Sequence, residues 1–99
     1  MKIYSVTIHQ PWDGKETASI HMTRKGALQV ACELSLQTMI AVDGFEDETL
    51  TWIEENLYAL DNPNHSHTIA ELDGIFKYAE KLLWEMETEI EIVWHILQP

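Results

Sequence analysis

The apolar pattern predicts an α+β fold in the order β-β-α-α-α-β, a three-stranded, mostly antiparallel sheet with three helices packed on one face. Two observations carry this expectation. Apolar and polar residues alternate near both ends of the chain (Tyr4, Val6, Ile8; Ile90, Ile92, Trp94, Ile96), which is the period of a half-buried strand. Between them, three stretches space their apolar residues three and four apart, which is the period of a helix. With 99 residues there is material for one core, so 1–99 is expected to form a single acidic domain.

In the first strand Tyr4, Val6 and Ile8 alternate with Ser5, Thr7 and His9; in the second, Ala18, Ile20 and Met22 alternate with Thr17, Ser19 and His21. A three-residue loop, Trp12-Asp13-Gly14, pairs Ile8 with Ala18, Val6 with Ile20 and Tyr4 with Met22, which puts both apolar rows on one face. It also places Gly14 where such a loop wants a left-handed residue. Thr23 is the expected N-cap of a first helix through Ala27, Leu28, Val30, Ala31, Leu34 and Leu36, apolar on most sides and hence central. Val42-Asp43-Gly44 breaks the pattern. Leu50, Ile53, Leu57 and Leu60 mark a second helix, opened by Glu46, Asp47 and Glu48, whose charges suit a helix N-terminus. Asp61-Asn62-Pro63-Asn64 ends it. Thr68 and Glu71 form a capping box, and Ile69, Leu72, Ile75, Phe76, Ala79, Leu82, Leu83 and Met86 carry a third helix along one face. The period changes to two from Glu89, which predicts a last strand whose neighbour the pattern does not specify.

Charge is distributed unevenly. Residues 1–25 hold 4 basic and 2 acidic side chains, and residues 26–99 hold 2 basic and 15 acidic, for a net charge of −11. Such a field attracts cationic partners and repels nucleic acid and anionic lipid, so neither is expected as a direct ligand. Cys32 is the only cysteine, which excludes an internal disulfide framework and fits a reducing, cytoplasmic compartment.

One spacing occurs twice. Glu48 and Glu55 flank Trp52 at i−4 and i+3, and Glu80 and Glu87 flank Trp84 in the same way, so each indole is expected among two carboxylates on its helix surface. Neither indole lies on its own helix's aliphatic stripe. A Trp edged by carboxylates suits an Arg or Lys from a partner, through cation-π attraction and charge-assisted hydrogen bonds. The bland alternative is that the rings fill junctions between helices. Self-association as a homodimer is a further way to cover them. The acidic runs Glu46-Asp47-Glu48 and Glu85, Glu87, Glu89, Glu91 approach the charge density of a phosphate backbone only where two acidic elements lie side by side.

No catalytic or metal signature stands out, and neither a cofactor nor a metal is expected. His65-Ser66-His67 lacks the further ligands a zinc site needs. In the expected hairpin register His9 and His21 share the open sheet face, too far apart to hold one metal, with His95 and Glu91 on the last strand. Cys32 has no basic neighbour to lower its pKa and reads as a core thiol.

Lys2-Ile3-Tyr4-Ser5-Val6-Thr7-Ile8, the Asp13-Gly14 turn and Ser19-Ile20-His21-Met22-Thr23 leading into Lys25-Gly26-Ala27-Leu28 resemble the start of many small orphan proteins of phages and prophages. Size and acidity are similar to those of anti-CRISPR and other anti-defence inhibitors. The resemblance implies a non-enzymatic inhibitor that occupies a basic surface of a host protein or ribonucleoprotein complex handling nucleic acid, in some cases as a nucleic-acid mimic. On the residues, Trp52 and Trp84 are the candidate anchors and Glu48, Glu55, Glu80 and Glu87 their charge partners. An acidic immunity or antitoxin protein that neutralises a basic nuclease toxin uses the same physics. A small His- and carboxylate-based metal enzyme is the alternative from a different class.

Overall fold

The N-terminal strand is the centre of the sheet, and both other strands pair with it antiparallel in the order β2-β1-β3. A computed structural model describes residues 1–11, 14–42 and 44–96. The elements are β1 (Lys2–Gln10), β2 (Gly14–His21), α1 (Arg24–Ile40), α2 (Asp47–Asp61), α3 (Ile69–Glu85) and β3 (Glu89–Ile96). The order and the α+β class are those the sequence predicts. The neighbour of the last strand is now defined: Tyr4 faces Trp94, Val6 faces Ile92 and Ile8 faces Ile90.

The hairpin register differs from expectation. Gln10 pairs with Gly14 and Ile8 with Glu16, and an irregularity then leaves Ala18 without a partner, so that Val6 faces Ser19, Ser5 faces Ile20 and Tyr4 faces His21. The extra residue turns the rest of β2 over. Ile20 therefore points to the open sheet face and is 65% exposed, while Ser19 and His21 share the helix-facing side and bond at 2.8 Å. Gly26 lies close to both Thr23 and His21: a Cβ there would crowd the capping Thr23 Oγ1 at 3.1 Å and come into ordinary contact with His21 Nδ1 at 3.5 Å. Gly14 has φ +72°, the left-handed conformation expected of it. Trp12 and Asp13 of the expected loop, and Asp43 of the expected break, lie outside the described residues.

Helix α1 is the hub. It touches all three strands and both other helices, and its Ala27, Leu28, Ala31, Cys32, Ser35, Leu36 and Met39 are buried. Thr23 caps it by accepting from the Gly26 N–H at 3.0 Å. Buried Ser35 satisfies its hydroxyl by donating to the Ala31 carbonyl at 2.6 Å, the usual solution for a serine inside a helix. Helices α1 and α3 pack on the sheet, whereas α2 is held mainly by α1, where Gln29 donates to the Leu60 carbonyl at 3.2 Å. The shortest dimension is 18 Å, room for one helix layer on one sheet, so the second face of the sheet is open. No helix is long and apolar enough to cross a membrane, among the described residues.

Candidate binding groove

Helix α3 is built to end sharply beside β3. Its start is fixed by the capping box, in which the Glu71 N–H donates to Thr68 Oγ1 at 3.1 Å and the Thr68 N–H donates to Glu71 Oε1 at 3.0 Å. At its end the Glu87 N–H donates to the Trp84 carbonyl at 3.0 Å and the Thr88 N–H to the Leu83 carbonyl at 3.1 Å, which is a Schellman motif. That motif requires a left-handed residue at its turn, and Glu87 supplies it with φ 55°, the only non-glycine residue at positive φ among those described. Glycine would adopt this conformation without steric cost. Three residues, Met86, Glu87 and Thr88, lead from α3 into β3, so Trp84 on the last turn of α3 faces the beginning of that strand.

Trp84 is 81% exposed. It forms one wall of a groove of about 530 Å³ between α3 and β3. Asp73, Phe76, Glu80 and Trp84, one row of α3, form the first side; residues 88–92 and Trp94 form the second; Tyr4 and Leu28 lie beneath. On its other side Trp84 lines a second hollow with His9, Glu85, Glu87 and Glu89. The indole is thus a ridge with empty space on both flanks. Trp94, at the far end of the groove, is 56% exposed and carries Lys2 Nζ 4.8 Å from its ring centre.

The groove is electrically graded. Near Trp84, Glu80, Glu85, Glu87 and Glu89 have no ion-pair partner among the described residues. At the other end Arg24 lies 3.8 Å from Asp73, which also takes Lys77 at 3.1 Å. Glu91 points to the open sheet face and meets Lys15 at 3.7 Å. A cationic group is therefore attracted to the Trp84 end, where its charge is unmatched and an indole face is free.

The two Trp and Glu clusters do not share one environment. Trp52 is half-buried, packs against the core, and meets Tyr78 of α3 edge-on with ring centres 4.5 Å apart. Glu48 and Glu55 remain exposed on α2. The expectation that Glu80 and Glu87 both flank Trp84 on the helix surface needs correction for Glu87: α3 ends at Glu85, and Glu87 occupies the turn beyond it. It stays beside the indole through the shared hollow.

The histidines are placed differently from expectation because of the shifted hairpin. His9 pairs with Lys15 and His21 with Tyr4, which puts the two imidazoles on opposite faces of the sheet. His95 is on the open face within 3.4 Å of Ser5 Oγ. The His65 and His67 rings stack edge to face at 4.4 Å. No group of three His, Cys, Asp or Glu side chains is arranged to hold a metal ion among the described residues. Cys32 is fully buried and its thiol donates to the Leu72 carbonyl at 3.2 Å. Burial, helped by the nearby charges of Glu33 and Asp73, pushes its pKa up to about 12, so it carries no thiolate at neutral pH.

Tyr4, Phe76 and Trp94 are groove residues that the sequence pattern absorbed into ordinary strand and helix stripes. The available signal was Trp94, a large ring late in a strand whose other inward residues are isoleucines. Without the partner of β3, nothing in that alternation tells a core ring from a rim ring. No family model, no curated protein and no solved structure matches this chain.

Proposed function

We propose that this chain is a non-enzymatic binding protein that occupies a basic surface of a nucleic-acid-handling host complex, in the manner of anti-CRISPR and other anti-defence inhibitors. The observation that carries the reading is Trp84. A ring 81% exposed, with hollows on both flanks and with Glu80, Glu85 and Glu87 around it unpaired among the described residues, is poorly accounted for by the monomer's own packing. Interfaces concentrate their affinity in such rings once they are desolvated against a partner, and Arg is the side chain that best matches an indole edged by carboxylates. The net charge of −11 supplies long-range attraction to a positive surface. A clustered basic patch is the electrostatic footprint of nucleic-acid binding, and covering such a patch blocks that use.

The test is capture from a bacterial lysate on immobilised chain, followed by a nucleic-acid-binding assay on what is captured. The captured factor should lose nucleic-acid binding when the chain is added. Capture should weaken at raised salt and with Trp84→Ala. Capture that ignores both, or a captured factor that still binds nucleic acid at full strength, excludes the reading.

A further inference from the structure

We infer that the free edge of β3 takes an extended segment of the partner as a fourth strand, and that this segment alternates basic and apolar residues. The inference rests on the binding role proposed above and names the form the partner takes there.

Among the described residues strand β3 is an edge strand, paired on one side only. Its register with β1 runs without irregularity from Lys2 opposite Ile96 to His9 opposite Glu89, so the outer edge is straight for eight residues. Alternate residues along such an edge direct their N–H and C=O outward, which is a template for one more strand. The opposite edge differs. There β2 carries an unpaired residue at Ala18 that twists it, a common protection against added strands. The groove beside α3 follows the β3 edge, because it is lined by consecutive residues 88–92, whose side chains alternate between the two faces of the sheet.

Those two faces dictate what the added strand must present. Its side chains on the helix side lie over Ile90 and Ile92, where apolar residues fit, while the opposite row reaches the other flank of Trp84, the hollow shared with Glu85, Glu87 and Glu89. Its side chains on the other side run beside Glu89 and Glu91, and this row favours Arg or Lys through cross-strand pairing. Main-chain bonds contribute affinity and the two rows contribute selectivity, as in other cases of strand addition. A second copy of this chain is a poorer occupant, since it would bring another charge of −11 to the acidic end of the groove.

The probe is a peptide of the same length as β3, alternating arginine and valine, titrated into the isotopically labelled full chain. Binding should protect alternate β3 amides from hydrogen exchange and shift the indole N–H signals of Trp84 and Trp94 while that of Trp52 stays. Two further peptides, N-methylated on complementary alternate residues, separate edge pairing from simple charge attraction. One should bind like the parent and the other should lose about tenfold or more, and Trp84→Ala should cost the parent about tenfold. Equal binding of the two methylated peptides, or protection on α2 or β2 instead of β3, overturns strand addition. If the peptide still binds in a salt-sensitive way in that case, the acidic binding face itself survives. If neither the peptide nor polylysine binds with salt sensitivity, both readings fail. Protection of β3 in the free protein, with a dimeric mass in solution, assigns the edge to a second copy and overturns the proposed occupant.

Discussion

Trp52 and Trp84 share the same local sequence environment, a glutamate four residues before and another three residues after, and they end in opposite surroundings. Trp52 is half-buried, with Tyr78 of the neighbouring helix against its ring. Trp84 is 81% exposed beside an open groove. The difference arises outside the local sequence. Helix α2 continues for more than two turns past Trp52 and lies along α1, so α3 is close enough to offer Tyr78. Helix α3 stops one residue past Trp84, and the chain turns there into β3, which passes by without covering the ring. A side chain's helical neighbours thus set the charge around it, while the next element decides whether it becomes core or surface.

Truncation should separate the two rings most visibly. Trp52→Ala is expected to cost about 2 to 3 kcal/mol of stability, less than for a fully buried Trp because one side of the ring is already wet. Trp84→Ala should stay within about 0.5 kcal/mol of the parent, as for an uncommitted surface residue. Urea denaturation of the two variants checks this, and similar losses for both would erase the distinction drawn here.

A double-mutant cycle of Trp52→Ala with Tyr78→Ala measures the ring contact itself. Coupling of about 0.5 to 1.5 kcal/mol is expected for an edge-to-face pair. The same cycle between Trp84 and Tyr78 should give none.

Glu87 offers a test with opposite signs. Glu87→Gly relieves a left-handed residue and should raise stability by about 1 kcal/mol, while removing a carboxylate from the Trp84 hollow and weakening the cationic peptide. Measuring thermal unfolding and peptide affinity on one sample separates the two effects. If affinity is unchanged, Glu87 is only a turn residue.

The smallest effect is expected at the other end of α3. The Thr68 N–H, and after it the Thr68 hydroxyl, hold the Glu71 carboxyl below its ordinary value of 4.5. A lowered pKa in the folded state contributes stability that is present above 4.5 and disappears as pH falls through the folded value. Acid should therefore loosen the first turn of α3, seen as faster amide exchange there. Glu71→Gln, which keeps an acceptor without the charge, should flatten that dependence, and the Trp84 indole signal should not respond to it.

How much of this could be read beforehand differs from place to place. The helix caps were legible because they are local: Thr23 reaches Gly26, and Thr68 reaches Glu71, within one turn. The stripes of α2 and α3 were legible because burial imposes a period, and Ile53, Leu60, Leu72, Phe76, Ala79 and Leu83 are buried as that period requires. The hairpin register was not, because alternation looks the same on either side of an unpaired residue. Ala18 turns Ile20 outward and His21 inward, and only the docking of Ser19 and His21 near the start of α1 distinguishes the two arrangements. Half of the candidate site was legible in the same sense. The spacing of Glu80 and Trp84 placed them together, whereas Tyr4 and Trp94 joined them only through a pairing between residues ninety positions apart.

By itself the amino-acid sequence determined the kind and order of the elements, the surplus of carboxylates after residue 25 and the caps that start α1 and α3, since each follows from interactions within a turn or from the period of burial. The tertiary structure alone decided that β1 is central, that β3 has a free edge, that Trp52 is covered and Trp84 is not, and that α3 and β3 leave a groove between them. Those outcomes depend on which distant segments meet, and contacts between distant residues have no signature in local spacing.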